Sequence, residues 1–192
     1  MKRHLSTNAS IIATCHSLHE RGYVSAYGGN VSVRTGNNKI VITRAKSSLD
    51  DLGEDDLVVV DMDGRVLFGT NPPSSETALH LMVYRTREDV RSVIHTHPPA
   101  STSFAYVNRE IIPINPESRN YIQRIPVVPY RPVGSQELAD ECSEYIKNWK
   151  VLLLERHGLV SCGENIDEAY NLTELAEEMA MMNLYVRILR GQ

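Results

Sequence analysis

Three histidines have the types and positions to hold a metal ion. His95 and His97 stand one residue apart in SVIHTHPPAST, at the end of an apolar run that two prolines stop. In a strand, residues i and i+2 point to one face, so both imidazoles project together while Ile94 and Thr96 face the other way. His157 closes a separate apolar run, VLLLERHG, just before a turn. Three protein nitrogens and one open position form the pattern of a catalytic zinc, with metal–nitrogen bonds of about 2.0–2.1 Å. The plain alternative for the HTH pair is two partly buried histidines satisfied by backbone groups. A closed structural zinc more often uses cysteines, and Cys15, Cys142 and Cys162 are far apart with no CxxC pair.

A carboxylate and several anion-binding candidates lie elsewhere. NPPSSET puts Ser74 and Ser75 at a helix start with Glu76 in its first turn. Serine caps and an acid near the positive end of the dipole are ordinary helix grammar. The same geometry offers amides and hydroxyls to an anion, and a carboxylate beside a metal can shuttle a proton. Gly28-Gly29-Asn30 either turns the chain into a strand or presents backbone N–H groups to a phosphate. Glu76 and His80 are four apart, a spacing that also makes metal pairs, but His80 sits amid Leu79, Leu81 and Met82 and reads as a hydrogen-bonded histidine at the core edge. Glu155 reads as sharing a strand face with His157, either as its hydrogen-bond partner or as a solvated charge. His4, His16 and His19, in the first helix or its lead-in, receive no role.

The elements that must position these groups are legible as pattern. Ile11, Ile12, Cys15 and Leu18 recur at helical spacing, with Ser6, Thr7 or Asn8 as cap and Gly22 as stop. SAYGGNVSVR and NNKIVITR read as strands joined around Gly36-Asn37-Asn38. DLVVVDMDGRVLFG reads as a hairpin with Asp63-Gly64 at its tip. PSSETALHLMVYRTRE is an amphipathic helix, RSVIHTH a strand and PASTSFAYV a short helix. Residues 108–132, rich in proline, form the least regular region. SQELADECSEYIKNW returns to helix, VLLLERHG and LVSCG read as strands around a turn at Gly158, and a long helix capped near Asn165 or Asp167 closes the chain. This alternation of helices with hairpins argues for an α/β fold with a mostly antiparallel or mixed sheet.

At 192 residues the chain fits a single domain, 1–192, with 42% hydrophobic and 23% charged residues. A net charge of −4 argues against nucleic acid as the partner. No window approaches the roughly 18 apolar residues of a spanning helix, and the N-terminus lacks the pattern of a signal peptide. An odd number of scattered cysteines fits a reducing compartment, which points to the cytoplasm.

Taken together and in order, GGNVSVR, IVIT, LVVVDMDG, PSSE, VIHTHPPAS and ERHGLVSCG resemble the class II aldolase/adducin family over residues 9 to 188. The resemblance implies a three-layer α/β/α sandwich around a mostly antiparallel sheet, assembled as a homotetramer with active sites at subunit interfaces. It implies zinc on His95, His97 and His157, with Mn2+, Co2+ or Fe2+ as other possible ions. It implies acid/base work by Glu76, where the family's epimerases carry aspartate, and phosphate contacts from Gly29, Asn30, Thr43, Ser74 and Ser75. His80 matches a histidine that the family does not use as a ligand. The phosphate turn departs from the pattern: the family's reads ITPTG or ITPSG, and this chain has ITRAK. Arg44 and Lys46 there either grip a phosphate or carboxylate by charge or are surface cations. Tyr121 and Tyr130 lie in the region where the family's aldolases carry a catalytic tyrosine.

The activity so implied is reversible aldol cleavage of a small phosphorylated ketose to dihydroxyacetone phosphate and an aldehyde, through a metal-stabilised enediolate. Decarboxylation of a 3-oxo acid sugar phosphate or related acid poses the same electrostatic problem, and Arg44 and Lys46 would suit its extra carboxylate. Dehydration of methylthioribulose phosphate is a third option. A non-catalytic adducin-type interaction domain would have no need of the three histidines and Glu76 together.

Overall fold

The computed structural model describes residues 6–191; His4 and the rest of the first five residues lie outside that range. The chain runs α1 (Thr7–Glu20), β1 (Asn30–Arg34), β2 (Ile40–Thr43), β3 (Leu57–Val60), β4 (Val66–Phe68), α2 (Thr77–Thr86), β5 (Ser92–Thr96), α3 (Pro99–Tyr106), α4 (Pro116–Arg119), β6 (Val127–Val128), α5 (Gln136–Ile146), β7 (Val151–Leu154), β8 (Gly158–Gly163) and α6 (Ile166–Leu189). The strands form one sheet in the order β4-β3-β2-β1-β5-β8-β7-β6. Every pairing is antiparallel except β6 with β7.

Alternation along the strands splits the interior into two cores and makes the three layers. On one face Ile40, Ile42, Val58, Val93, Leu152, Leu154 and Val160 pack against α2 and α5 through Leu79, Val83, Leu138 and Ile146. On the other, Val31, Val41, Ile94, Leu153 and Leu159 meet α1, α3 and α6 through Ile11, Leu18, Phe104, Ala176 and Met179. Each such Leu, Ile or Phe contributes about 1.5–3 kcal/mol when fully buried. Adjacent residues such as Val93 and Ile94 therefore stabilise opposite layers, and a slip of one residue would invert both. Cys15, Cys142 and Cys162 are buried free thiols within these cores.

Local chemistry sets several boundaries differently from the sequence pattern. β1 starts only at Asn30, because 25–29 turn, with Ala26 (φ 49°) and Gly29 (φ 80°) in the left-handed region. α2 starts at Thr77 rather than at the serines, because Ser74 N donates to Thr43 O (3.1 Å) and holds that segment against the end of β2. β5 stops at Thr96, so His97 lies one residue past the strand, its N–H donating to Tyr23 O at 2.9 Å. Gly158 opens β8 instead of turning the chain; the turn is 155–157, with Arg156 left-handed (φ 58°). Within 108–132, α4 and the short β6 are ordered elements, and Ile111 bridges Ile125.

The long α6 also locks the segment that follows the HTH pair. Buried Glu177 accepts from Ala100 N (2.8 Å), Ser101 N (2.7 Å) and Ser101 Oγ (2.7 Å), so its carboxylate caps the start of α3. Glu177→Gln removes the charge from three converging donors and is expected to cost about 2 kcal/mol in urea unfolding. A loss below about 0.5 kcal/mol would show that the cap adds nothing to stability.

Candidate active site

His95 and His97 come from the end of β5, and His157 from the turn between β7 and β8, the strand pair beside it. His97 Nε2 lies 2.9 Å and His157 Nε2 3.2 Å from His95 Nε2. His95 Nδ1–H donates to Leu159 O at 2.9 Å, which fixes the tautomer and leaves Nε2 as a lone pair. Burial holds the His95 ring neutral, well below its ordinary pKa, with His157 and His97 adding to the effect. Burial also lowers His97, and pushes His157 down to about 4 with help from His97. Three neutral imidazoles thus aim Nε2 atoms at one point. One lone pair on His95 cannot satisfy both neighbouring Nε2 atoms, and buried His157 Nδ1 has no hydrogen-bond partner at all.

A divalent cation resolves this crowding. The edge of a tetrahedron with metal–nitrogen bonds of about 2.0–2.1 Å is about 3.3 Å, close to the spacings here. Among the described residues these three are the group whose ligand atoms, all within 4.8 Å of one another, could hold an ion. A neutral, all-imidazole donor set suits zinc or a neighbouring transition metal better than calcium or magnesium.

Two glycines make room for the rings. A Cβ on Gly158 would meet His97 Cδ2 at 2.4 Å and Thr96 O at 2.5 Å. A Cβ on Gly28 would meet His97 Nδ1 at 2.9 Å, and one on Gly29 would meet Val24 Cγ1 at 2.4 Å and His95 O at 3.1 Å. The GGN segment is therefore pressed against both histidines. Asn30, which follows it, pairs directly with His95 across β1 and β5.

Glu76 stands just before α2 without making a capping bond, and is buried, with neither carboxylate oxygen in hydrogen-bond geometry with a partner. Burial pushes its pKa up to about 7, and the nearby Gly134 amide draws it part of the way back. One turn further along α2, His80 hydrogen-bonds Asn30 Oδ1 (2.6 Å) and Ser32 Oγ (2.7 Å). Both of its nitrogens are engaged, so it is a buried structural histidine, with two bonds rather than one. His80 thus bonds Asn30, the strand neighbour of His95, while its link to Glu76 is the helix backbone bond from His80 N to Glu76 O (3.3 Å).

The anion-binding candidates separate into two groups. Asn30, Thr43 and Ser74 come together: Val31 N donates to Thr43 Oγ1 (3.3 Å), Ser74 N to Thr43 O, and Glu76 N to Ser74 Oγ (3.2 Å). Ser75 is exposed beside them, its carbonyl against Gly134. Arg44 is engaged within its own turn. Its Nε is paired with Asp56 and its Nη1 donates to Ala45 O (3.1 Å) and Lys46 O (3.4 Å), so the guanidinium shapes its own turn. Lys46 is exposed at φ 57°, with no ion pair among the described residues. Glu155 lies in the turn rather than on a strand face and accepts from Tyr130 N at 3.0 Å. Tyr121 and Tyr130 are both exposed. A groove of about 910 Å³ between α4 and α6 is lined by Tyr121 but by none of the three histidines, Glu76 or the anion-binding candidates.

Sequence reasoning passed over Ser32, Tyr84 and Glu177. The only cue to Tyr84 was its spacing of four from His80, itself four from Glu76.

A buried histidine cluster that could hold a metal ion, on this eight-stranded sheet with a buried carboxylate at the start of α2, is the arrangement of a metal-dependent lyase family. The chain belongs to the Class II Aldolase and Adducin N-terminal domain family, whose pattern matches residues 9–184. It is 40% identical over 173 residues to the L-fuculose phosphate aldolase of Methanocaldococcus jannaschii, covering 90% of this chain and 93% of that one. It is 33% identical to the 3-oxo-tetronate 4-phosphate decarboxylase of Haemophilus influenzae, covering 86% and 81%. The crystal structure of L-fuculose-1-phosphate aldolase from Thermus thermophilus superposes with a TM-score of 0.87 at 28% identity, covering 96% and 95%. The protein is accordingly an enzyme of the lyase class.

The raised Glu76 pKa has a signed consequence for stability. A carboxyl whose folded pKa (about 7) exceeds its usual 4.5 stabilises the fold fully below about pH 4.5, and that contribution is lost as pH rises through about 7. In chelator-treated protein, the wild type should lose about 3 kcal/mol relative to Glu76→Gln between pH 4.5 and 8. Parallel pH–stability curves for the two proteins would show that Glu76 ionises normally.

Proposed function

We propose that the chain is a zinc-dependent aldolase that reversibly cleaves a small phosphorylated ketose to dihydroxyacetone phosphate and an aldehyde. The observation that carries this reading is the pairing of three converging imidazole nitrogens with a buried carboxylate free of hydrogen bonds. His95, His97 and His157 would hold the ion, and a divalent cation there supplies Lewis-acid stabilisation of charge developing beside the donor's carbonyl.

The chain's own groups carry the remaining steps. Asn30, Thr43, Ser74 and Ser75, with the Gly29 backbone, bind the phosphate and orient the donor. Glu76 takes the proton from the carbon that forms the new bond and returns it in the cleavage direction. A carboxyl near pKa 7 is half-protonated at neutral pH, where a proton-transfer group works in both directions. Its lack of partners keeps both oxygens available to the substrate.

The active unit in this reading is a cytoplasmic homotetramer of single-domain chains. Leu184, Tyr185, Ile188 and Leu189 form an exposed apolar strip at the end of α6 that suits burial against another copy. The buried free cysteines fit a reducing compartment.

The test uses the half-reaction. Zinc-loaded protein should catalyse stereospecific exchange of one C3 proton of dihydroxyacetone phosphate in D2O, followed by NMR, and Glu76→Gln should reduce the rate by at least about 100-fold. Fully metallated protein without exchange would overturn the aldolase reading. Decarboxylation of a 3-oxo acid phosphate would then be favoured, as the Haemophilus influenzae relative suggests.

A further inference from the structure

A polar seam runs through the otherwise apolar core between α2 and β1. Glu76, His80 and Tyr84 recur every four residues and make one stripe of the α2 surface. Asn30, Ser32 and Arg34 alternate on one face of β1. Between the stripes, the Tyr84 hydroxyl lies 2.7 Å from Ser32 Oγ, Ser32 Oγ 2.7 Å from His80 Nδ1, and His80 Nε2 2.6 Å from Asn30 Oδ1. Ser32, His80 and Tyr84 are at most 1% exposed. The Arg34 guanidinium covers the far end, 5.0 Å from the centre of the Tyr84 ring.

The proton inventory gives the seam one direction. Asn30 Oδ1 can only accept, so His80 Nε2 carries a hydrogen. A neutral imidazole has one N–H, which leaves Nδ1 to accept from the Ser32 hydroxyl. That hydroxyl proton is then committed, and Tyr84 O–H donates to Ser32 Oγ. Complete burial keeps His80 neutral, with its pKa lowered to about 3. The chain therefore runs Tyr84 to Ser32 to His80 to Asn30, and it turns the Asn30 amide so that Nδ2 points away from His80. Asn30 stands opposite His95, and its chain neighbour Val31 bonds Thr43, whose carbonyl in turn accepts from Ser74 N.

We propose that His80, Ser32 and Tyr84 are positioning residues that lock the Asn30 side chain with its amide N–H groups toward the phosphate of the substrate. This rests on the reading of Asn30 as a phosphate contact. Without the seam the amide could rotate by half a turn and present an oxygen to the anion, which would be repelled. Histidine suits the position because it accepts at one end and donates at the other across the width of the core.

Two measurements decide it. The first is the tautomer of His80 in zinc-loaded wild type, read by long-range 1H–15N NMR of the imidazoles, with the ring identified by its contacts to Tyr84. The Nε2–H form is expected, and the Nδ1–H form overturns the proposal whether or not any variant folds. The second is the affinity for inorganic phosphate. His80→Phe, which fills the space without a donor, should weaken phosphate binding about 10-fold or more. His80→Gln, whose amide nitrogen can stand near the Nε2 position, should restore it to within about 3-fold. Phosphate affinity unchanged in His80→Phe, with only the melting temperature lowered, would make the seam structural alone and overturn the proposal. Proton exchange on dihydroxyacetone phosphate by the wild type would leave the aldolase reading standing even then, so the two failures are distinguishable.

Discussion

The approach of three imidazole nitrogens to a single point is the constraint on which the surrounding structure depends. Two of them lie 2.9 and 3.2 Å from the third, and the protonation of His95 is fixed by Leu159 O. Neutral rings in a buried site hold this arrangement only if the backbone enforces it or an ion rewards it. The β5–β8 register supplies the first condition. His95 pairs with Val160, and His157 stands just before Gly158, which a larger residue could not replace without pushing into His97 and Thr96. Gly28 closes the other side of the same ring. The sheet order, with β5 between β1 and β8, brings Asn30 to one flank of His95 and the His157 turn to the other.

A second feature follows from placing this cluster at the edge of a large apolar core. The polar seam under α2 would destabilise the fold if any member lacked a partner, since an unpaired buried polar group costs about 1–3 kcal/mol. Ser32, His80, Tyr84 and Asn30 satisfy one another. Glu76, at the end of the same stripe, does not share in that satisfaction. Its desolvation is a cost the fold carries at the residue proposed to move a proton, and the well-packed layers on both faces of the sheet offset it.

Much of this was legible in the sequence because the relevant periods are short. Two residues of strand place His95 beside His97, and alternation along β5, β7 and β8 defines both cores. The three-layer arrangement and the mostly antiparallel sheet also follow from pattern and family resemblance. Other features depend on contacts between distant segments. Nothing local in NVSVR marks Ser32 as the centre of a hydrogen-bond chain, and Glu177 looks like any acid on an amphipathic helix until α3 is placed against it. Gly158 read as a turn residue, since sequence cannot show that the space its side chain would need is filled by His97. The pairing of Arg44 with Asp56 could not be read from the sequence, because Asp56 lies beyond a loop.

The central claim is that His95, His97 and His157 form one metal centre. Its most direct test is X-ray absorption of the protein loaded with zinc, combined with metal analysis after exhaustive dialysis. The account predicts one ion per chain with three imidazole nitrogens at about 2.0–2.1 Å, and loss of that ion on His157→Ala. Zinc retained with an unchanged coordination shell in His157→Ala, or no stoichiometric zinc in the wild type, would contradict it.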